Sequence, residues 1–167
     1  WKTYAKTGKL WIKDEYKDDK LNGKKKKNYI STMKYLEIGN YKDGMKEGKW
    51  TEYHENGEKS LEGNYYNNQK IDKWIEWSNT RKTDAEVSYI NGEVYGKTIR
   101  YQKNGNIFYE ADIDAYETKI KAYFPDGNIS FEGVLVDNKR SGKWKFYDKN
   151  KSVISIKEYE KGILVNN

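Results

Sequence analysis

Apolar and aromatic residues return along this chain in short alternating runs separated by Gly, Asn and Asp, and the clearest such stretch is residues 48–72, GKWTEYHENGEKSLEGNYYNNQKID. It reads as one β-hairpin. The Asn56-Gly57 pair accepts the positive φ angles of a tight turn, and the flanking runs carry Trp50, Tyr53, Leu61, Tyr65 and Tyr66. Counting from Tyr53, an aromatic residue recurs about every 24 positions, at Tyr4, Tyr29, Tyr53, Trp77, Tyr101, Tyr123 and Tyr147. Such fixed-period self-similarity marks a repeat architecture.

Other columns keep the same period. Three residues before the first stand Trp1, Lys26, Trp50, Trp74, Thr98, Ile120 and Trp144, and twelve after it stand Tyr16, Tyr41, Tyr65, Tyr89, Ile113, Leu135 and Tyr159. A turn glycine falls four residues after the first column at Gly8, Gly57, Gly105 and Gly127, with Met33, Arg81 and Lys151 in its place elsewhere. A second reversal is marked by Gly23, Gly44, Gly92 and Gly162, and by Asn67-Asn68 and Asp137-Asn138.

The pattern predicts an all-β fold, an elongated single-sheet meander of about seven 24-residue hairpins, or about fourteen strands, with no significant helix. The repeats form one array over residues 1–167, in approximate units 1–23, 24–47, 48–71, 72–95, 96–117, 118–141 and 142–167. The fifth is two residues short, which predicts a bulge or irregular loop over 112–118.

Side chains alternate faces along a strand, so the register sorts them. A tight turn at Asn56-Gly57 puts Thr51 opposite Glu62, Trp50 opposite Gly63 and Tyr53 opposite Ser60, with Trp50 covering the glycine; Ile120 matches Gly133 and Thr98 matches Ala111. One face then carries Trp50, Leu61, Tyr65, Tyr109, Ile113, Phe131 and Leu135 and is assigned to the core. The other carries the Tyr53 column, the lysines Lys25, Lys49, Lys73, Lys97, Lys119 and Lys143, and the glutamates Glu62, Glu86, Glu110 and Glu132. Aromatics on both faces of one layer imply a rolled sheet or a ladder left for a partner.

Composition agrees with a thin, half-wet sheet. Of 167 residues 35% are hydrophobic and 16% aromatic, with 16 Tyr and 6 Trp, and such aromatic richness separates the chain from disordered sequences of similar charge. The net charge of +6 comes from interspersed signs apart from the lysines at 24–27, which disfavours a nucleic-acid partner. With no cysteine there is no thiol chemistry, and the single His54 is expected to be a solvated residue beside the turn. The glutamate column stands one hairpin apart, roughly 9.5 Å from two strand spacings, near the separation of an inverting glycosidase. A charge ladder with the neighbouring lysines explains it more simply. No phosphate-binding glycine motif, metal-ligand cluster or cofactor site is expected.

The motif G-K-W-x-x-Y-x-x-N-G with a trailing E-G-x-Y-x-x-G, seen best in GKWTEYHENGEKSLEGNYYNN and then in YFPDGNISFEGVLVDNKRSGKW, resembles the MORN-type repeat, in the variant found in bacterial YwqK-type antitoxins of toxin-antitoxin systems. YQKNGNIFYEAD and GKWKFYDKN carry half of it each. The resemblance implies a β-hairpin array that binds other proteins, with phospholipid contact in some members, and neutralisation of a toxin by binding. The expected function is therefore a non-enzymatic protein-protein interaction module, an antitoxin or immunity-like protein. Its partner is another protein, a toxin or effector, bound along Tyr53, Trp77, Tyr101 and Tyr123 with Lys49, Lys73, Lys97, Glu62, Glu86 and Glu110 setting register. The alternative is a cell-envelope module that binds phospholipid headgroups or glycans. The start at Trp1 and the absent cysteines lean towards an exported or envelope location, whereas a cognate antitoxin would sit in the cytoplasm.

Overall fold

The computed structural model describes residues 1–166, and among them the backbone forms strands, turns and bends with no helix. Fifteen of seventeen strands follow one another in sequence order in one antiparallel meander sheet, and the remaining two make a small ribbon. By its contacts the chain divides into two units, Trp1–Thr83 with Tyr89–Glu93, and Asp84–Ser88 with Val94–Asn167.

The first unit contains β1 (Lys2–Tyr4), β2 (Leu10–Lys13), β3 (Tyr16–Lys17), β4 (Lys20–Leu21), β5 (Gly23–Asn28), β6 (Tyr35–Lys42), β7 (Met45–Tyr53), β8 (Lys59–Tyr66) and β9 (Gln69–Trp77). Residues of β10 (Thr83–Ile90) belong to both units. The second contains β11 (Glu93–Tyr101) apart from Glu93, and β12 (Ile107–Ile113), β13 (Thr118–Tyr123), β14 (Ile129–Val136), β15 (Lys139–Tyr147), β16 (Val153–Glu160) and β17 (Ile163–Asn166). The count exceeds fourteen because the ladder breaks at Asp14-Glu15 and at Asn22, which isolates β3 and β4, and because β17 adds a strand at the end.

The two kinds of turn exchange the roles expected of them. Asn56-Gly57 is not a two-residue hairpin turn: only Gly57 has positive φ, +90°, and its N–H donates to the His54 carbonyl at 2.8 Å while His54 N–H donates to Glu58 at 2.8 Å. This is a turn closed by one left-handed residue, and the strands resume after a register shift, so Tyr53 faces Lys59 rather than Ser60. The two-residue turns with both residues left-handed are the second ones, such as Asn67-Asn68 (φ 49° and 68°) and Asp137-Asn138 (51° and 59°). In the first repeat that turn is Asp18-Asp19, and Gly23 instead begins β5.

The remaining register is as expected: Thr51 faces Glu62, Trp50 faces Gly63, Thr98 faces Ala111 and Ile120 faces Gly133. What differs is which ring covers which glycine. Gly63 is covered by Trp74 of the following strand, Gly133 by Trp144, and Trp50 lies over Gly39. The cause is a bulge. Between the pairs Glu62↔Ile75 and Asn64↔Ile71, the three residues Asp72, Lys73 and Trp74 oppose the single Gly63, and Asp72 has φ +59°. The same happens at Gly48 and Gly142, each left-handed and two residues before a tryptophan.

The short fifth repeat follows from this. Across β12 and β13 the pairing Glu110↔Lys121, Ala111↔Ile120, Asp112↔Lys119 is unbroken, so the two missing residues are those of the bulge, and Ala-Ile replaces Gly-Trp. The expected irregular segment over 112–118 shrinks to a turn at 114–117, where the Asp114 carboxylate accepts the Tyr116 and Glu117 N–H groups at 2.7 Å each.

Trp50, Trp74 and Trp144 are buried to within 2% of full. In the first unit they interleave with tyrosines in edge-to-face contacts, Tyr41–Trp50 at 5.4 Å, Trp50–Tyr65 at 5.8 Å and Tyr65–Trp74 at 4.9 Å. In the second, Ala111, Ile120 and Trp144 form the buried centre, packed by Tyr109, Ile113, Phe131 and Leu135. A cation four residues before each tryptophan closes the layer: Lys46 Nζ is 4.1 Å from the Trp50 centroid, Lys70 Nζ 4.3 Å from Trp74, and Arg140 Cζ 4.6 Å from Trp144.

Candidate binding face

The opposite face holds the residues assigned to binding. Tyr53, Trp77, Tyr101 and Tyr123 end β7, β9, β11 and β13, and all four are half-buried rather than fully exposed. In the first unit Tyr53 packs against Tyr35 at 6.2 Å and, with Met33, Lys34, Asn56 and Gly57, lines a shallow recess. Its carbonyl accepts the Tyr29 hydroxyl at 2.8 Å. The Trp77 carbonyl accepts Nε2–H of His54 at 2.7 Å, so His54 ties two hairpins together instead of standing in solvent. Lys59 Nζ lies 5.8 Å from the Trp77 ring.

In the second unit the tyrosine and glutamate columns are joined. Tyr101 donates to Glu86 at 3.0 Å, Tyr123 to Glu110 at 2.5 Å and Tyr147 to Glu132 at 2.8 Å. Each hydroxyl reaches back to the glutamate of the preceding hairpin, and this orders the ring. Burial and the adjoining Glu110 carboxylate push the Tyr123 phenol up to about 12. Burial, then the hydrogen bond to Glu86, raises Tyr101 as well.

The expected lysine-glutamate ladder is present in part. Lys49 meets Glu62 at 3.0 Å, and Lys97 meets Glu110 at 3.6 Å. Glu62 is the most heavily engaged: burial acts to raise its pKa, but Lys59, Lys49 and the Thr51 hydroxyl overcome that and hold it below the usual carboxylate range. Glu132 takes Lys145 at 3.7 Å, and Lys119 turns to Glu117 at 3.2 Å. Lys73 stands exposed on the bulge of β9.

The recess of this face in the second unit has a volume of about 460 Å³. Five lysines line it, Lys97, Lys119, Lys121, Lys143 and Lys145, with Glu110, Asp112 and Glu132 between them. Of the residues expected to bind, only Lys97 and Glu110 reach it. Lys121 and Lys145 went unmarked as site residues, although Lys119-Ile120-Lys121 and Lys143-Trp144-Lys145 carry the signal: two lysines flanking one buried residue share the opposite face of a strand. Among the described residues no three His, Asp or Glu side chains converge as a metal site. No protein-family model and no curated protein matches the chain.

Proposed function

We propose that this chain is a non-enzymatic module that binds another protein through the face carrying the tyrosine, lysine and glutamate columns, and that it neutralises a toxin or effector by occlusion, in the manner of an antitoxin or immunity protein. The observation that carries the binding role is the locked tyrosine column: hydroxyls held by Glu86, Glu110 and Glu132 fix half-exposed rings before any partner arrives. Rigid aromatic anchors lose little conformational entropy on association and are enriched among interface hot spots. The neutralising role rests on the MORN-type resemblance of the repeats.

The test is capture of the partner on the immobilised full chain, followed by affinity measurement with the purified pair. Changing Trp77→Ala and Tyr101→Ala together weakens binding by about a thousandfold, on the scale of two hot-spot truncations. The far-UV circular dichroism of the β-sheet stays as it is. Retained binding overturns the proposal, and loss of the β-sheet spectrum assigns the ladder to folding.

A further inference from the structure

Lys121 and Lys143 stand in the second unit's recess without an ion pair among the described residues, and the two glutamates beside them already have donors. Glu110 takes Tyr123 and Lys97, and Glu132 takes Tyr147 and Lys145. Lys121 faces Glu110 on one side and Glu132 on the other in register, yet pairs with neither. The recess therefore holds a surplus of positive charge that the fold does not use. We infer that it binds an extended acidic segment of a partner protein, laid across β11, β13 and β15; the inference rests on the protein-binding reading above and names the chemistry of the partner.

Spacing favours this occupant. The lysines sit on alternate strands, so their rows are about 9.5 Å apart. An extended peptide with three residues per turn advances roughly 3.1 Å per residue, which brings every third side chain, all on one side, to a new row. Acids placed one row apart meet the lysines, whereas a duplex strand carries a phosphate about every 3.4 Å and sets some of them against Glu110, Asp112 and Glu132. A flat membrane cannot follow a recess. Next to it, Ile156 pairs with Lys145 across the strands and is 48% exposed, and Ile154, two residues before it on the same strand, is 65% exposed. These two supply apolar contact for one end of the segment.

The probe is a fluorescein-labelled peptide of repeated Asp-Ser-Ser triplets ending in leucines, read by anisotropy with the full chain. We expect binding that weakens as salt rises, that disappears when Asn replaces Asp in the peptide, and that falls about tenfold in the Lys121→Gln/Lys143→Gln variant. The charge-matched Lys17→Gln/Lys20→Gln variant binds as the parent does. Absence of binding, equal binding of the Asn peptide, or equal binding by the Lys121→Gln/Lys143→Gln variant overturns the inference. Tighter, competing binding of phosphatidylglycerol vesicles or of oligothymidylate overturns it in favour of lipid or nucleic acid. If the peptide fails while a protein partner is still captured in a Trp77- and Tyr101-dependent way, only the acidic chemistry is wrong; if both fail, the protein-binding reading goes with it.

Discussion

Trp74 lies over Gly63 so closely that a β-carbon placed on the glycine would stand 2.2 Å from the indole. Gly63 has ordinary strand φ, so the glycine is required by the ring and not by the backbone. Gly63→Ala forces the buried Trp74 aside and is expected to cost about 1–3 kcal/mol, read from urea denaturation. The pair is coupled: at Gly133, the Gly133→Ala loss is expected to shrink when Trp144→Ile is present, since Ala111 with Ile120 already fills the equivalent place. Additive losses in that double-mutant cycle would show that the contact is not what limits these positions.

The cations above the tryptophans contribute less. Lys70 Nζ sits 4.3 Å from Trp74 and 5.1 Å from Tyr89, and Lys70→Met keeps the stem while removing the charge. The expected loss is about 0.5–1 kcal/mol in chemical denaturation. A variant as stable as the parent would reduce the cation to a cover for the ring.

Tyr123 carries a measurable pH dependence. Its phenol is raised from 10.0 to about 12 by burial and the Glu110 hydrogen bond, so the folded state disfavours phenolate. The stabilisation is complete below pH 10, where both states are protonated, and is lost as pH rises through about 12. Ultraviolet titration of phenolate should lose one tyrosine from its late-titrating group in Tyr123→Phe, and the variant's stability should fall less steeply across that window.

Lys151 occupies the left-handed turn position with φ +69°, where Gly57, Gly105 and Gly127 have about +90°. A lysine there carries steric cost that glycine does not, and Lys151 is exposed, so little else is lost. Lys151→Gly is expected to raise stability by about 0.5–1 kcal/mol, measured from the thermal midpoint. An unchanged or lower midpoint would show that the entropy of the added glycine offsets the relief.

Much of the fold was legible in the chain because alternation and turn chemistry are local. The columns of Trp50 and Tyr53, the pairings Thr51 with Glu62 and Trp50 with Gly63, and the core face of Tyr109, Ile113, Phe131 and Leu135 follow from period-two alternation about a turn. Positive φ at Met33, Arg81 and Lys151 matches their place in the glycine column. The site was less legible. Glu110 could be put on the face of Tyr123 from parity alone, but a 2.5 Å bond between them depends on how neighbouring hairpins abut.

By itself, then, the sequence determined the repeat, the all-β class and the sorting of residues onto two faces, since these depend on spacing within a hairpin. Only the tertiary structure decided that Trp74, and not Trp50, covers Gly63, because the bulge at Asp72 joins successive hairpins and sets an offset that no single hairpin contains. It likewise decided that, among the described residues, Lys121 and Lys143 are the cations of the second unit's recess without an ion pair. Which carboxylate a flexible lysine reaches depends on competition among cross-strand neighbours, and in the folded chain tyrosine hydroxyls had already taken two of them.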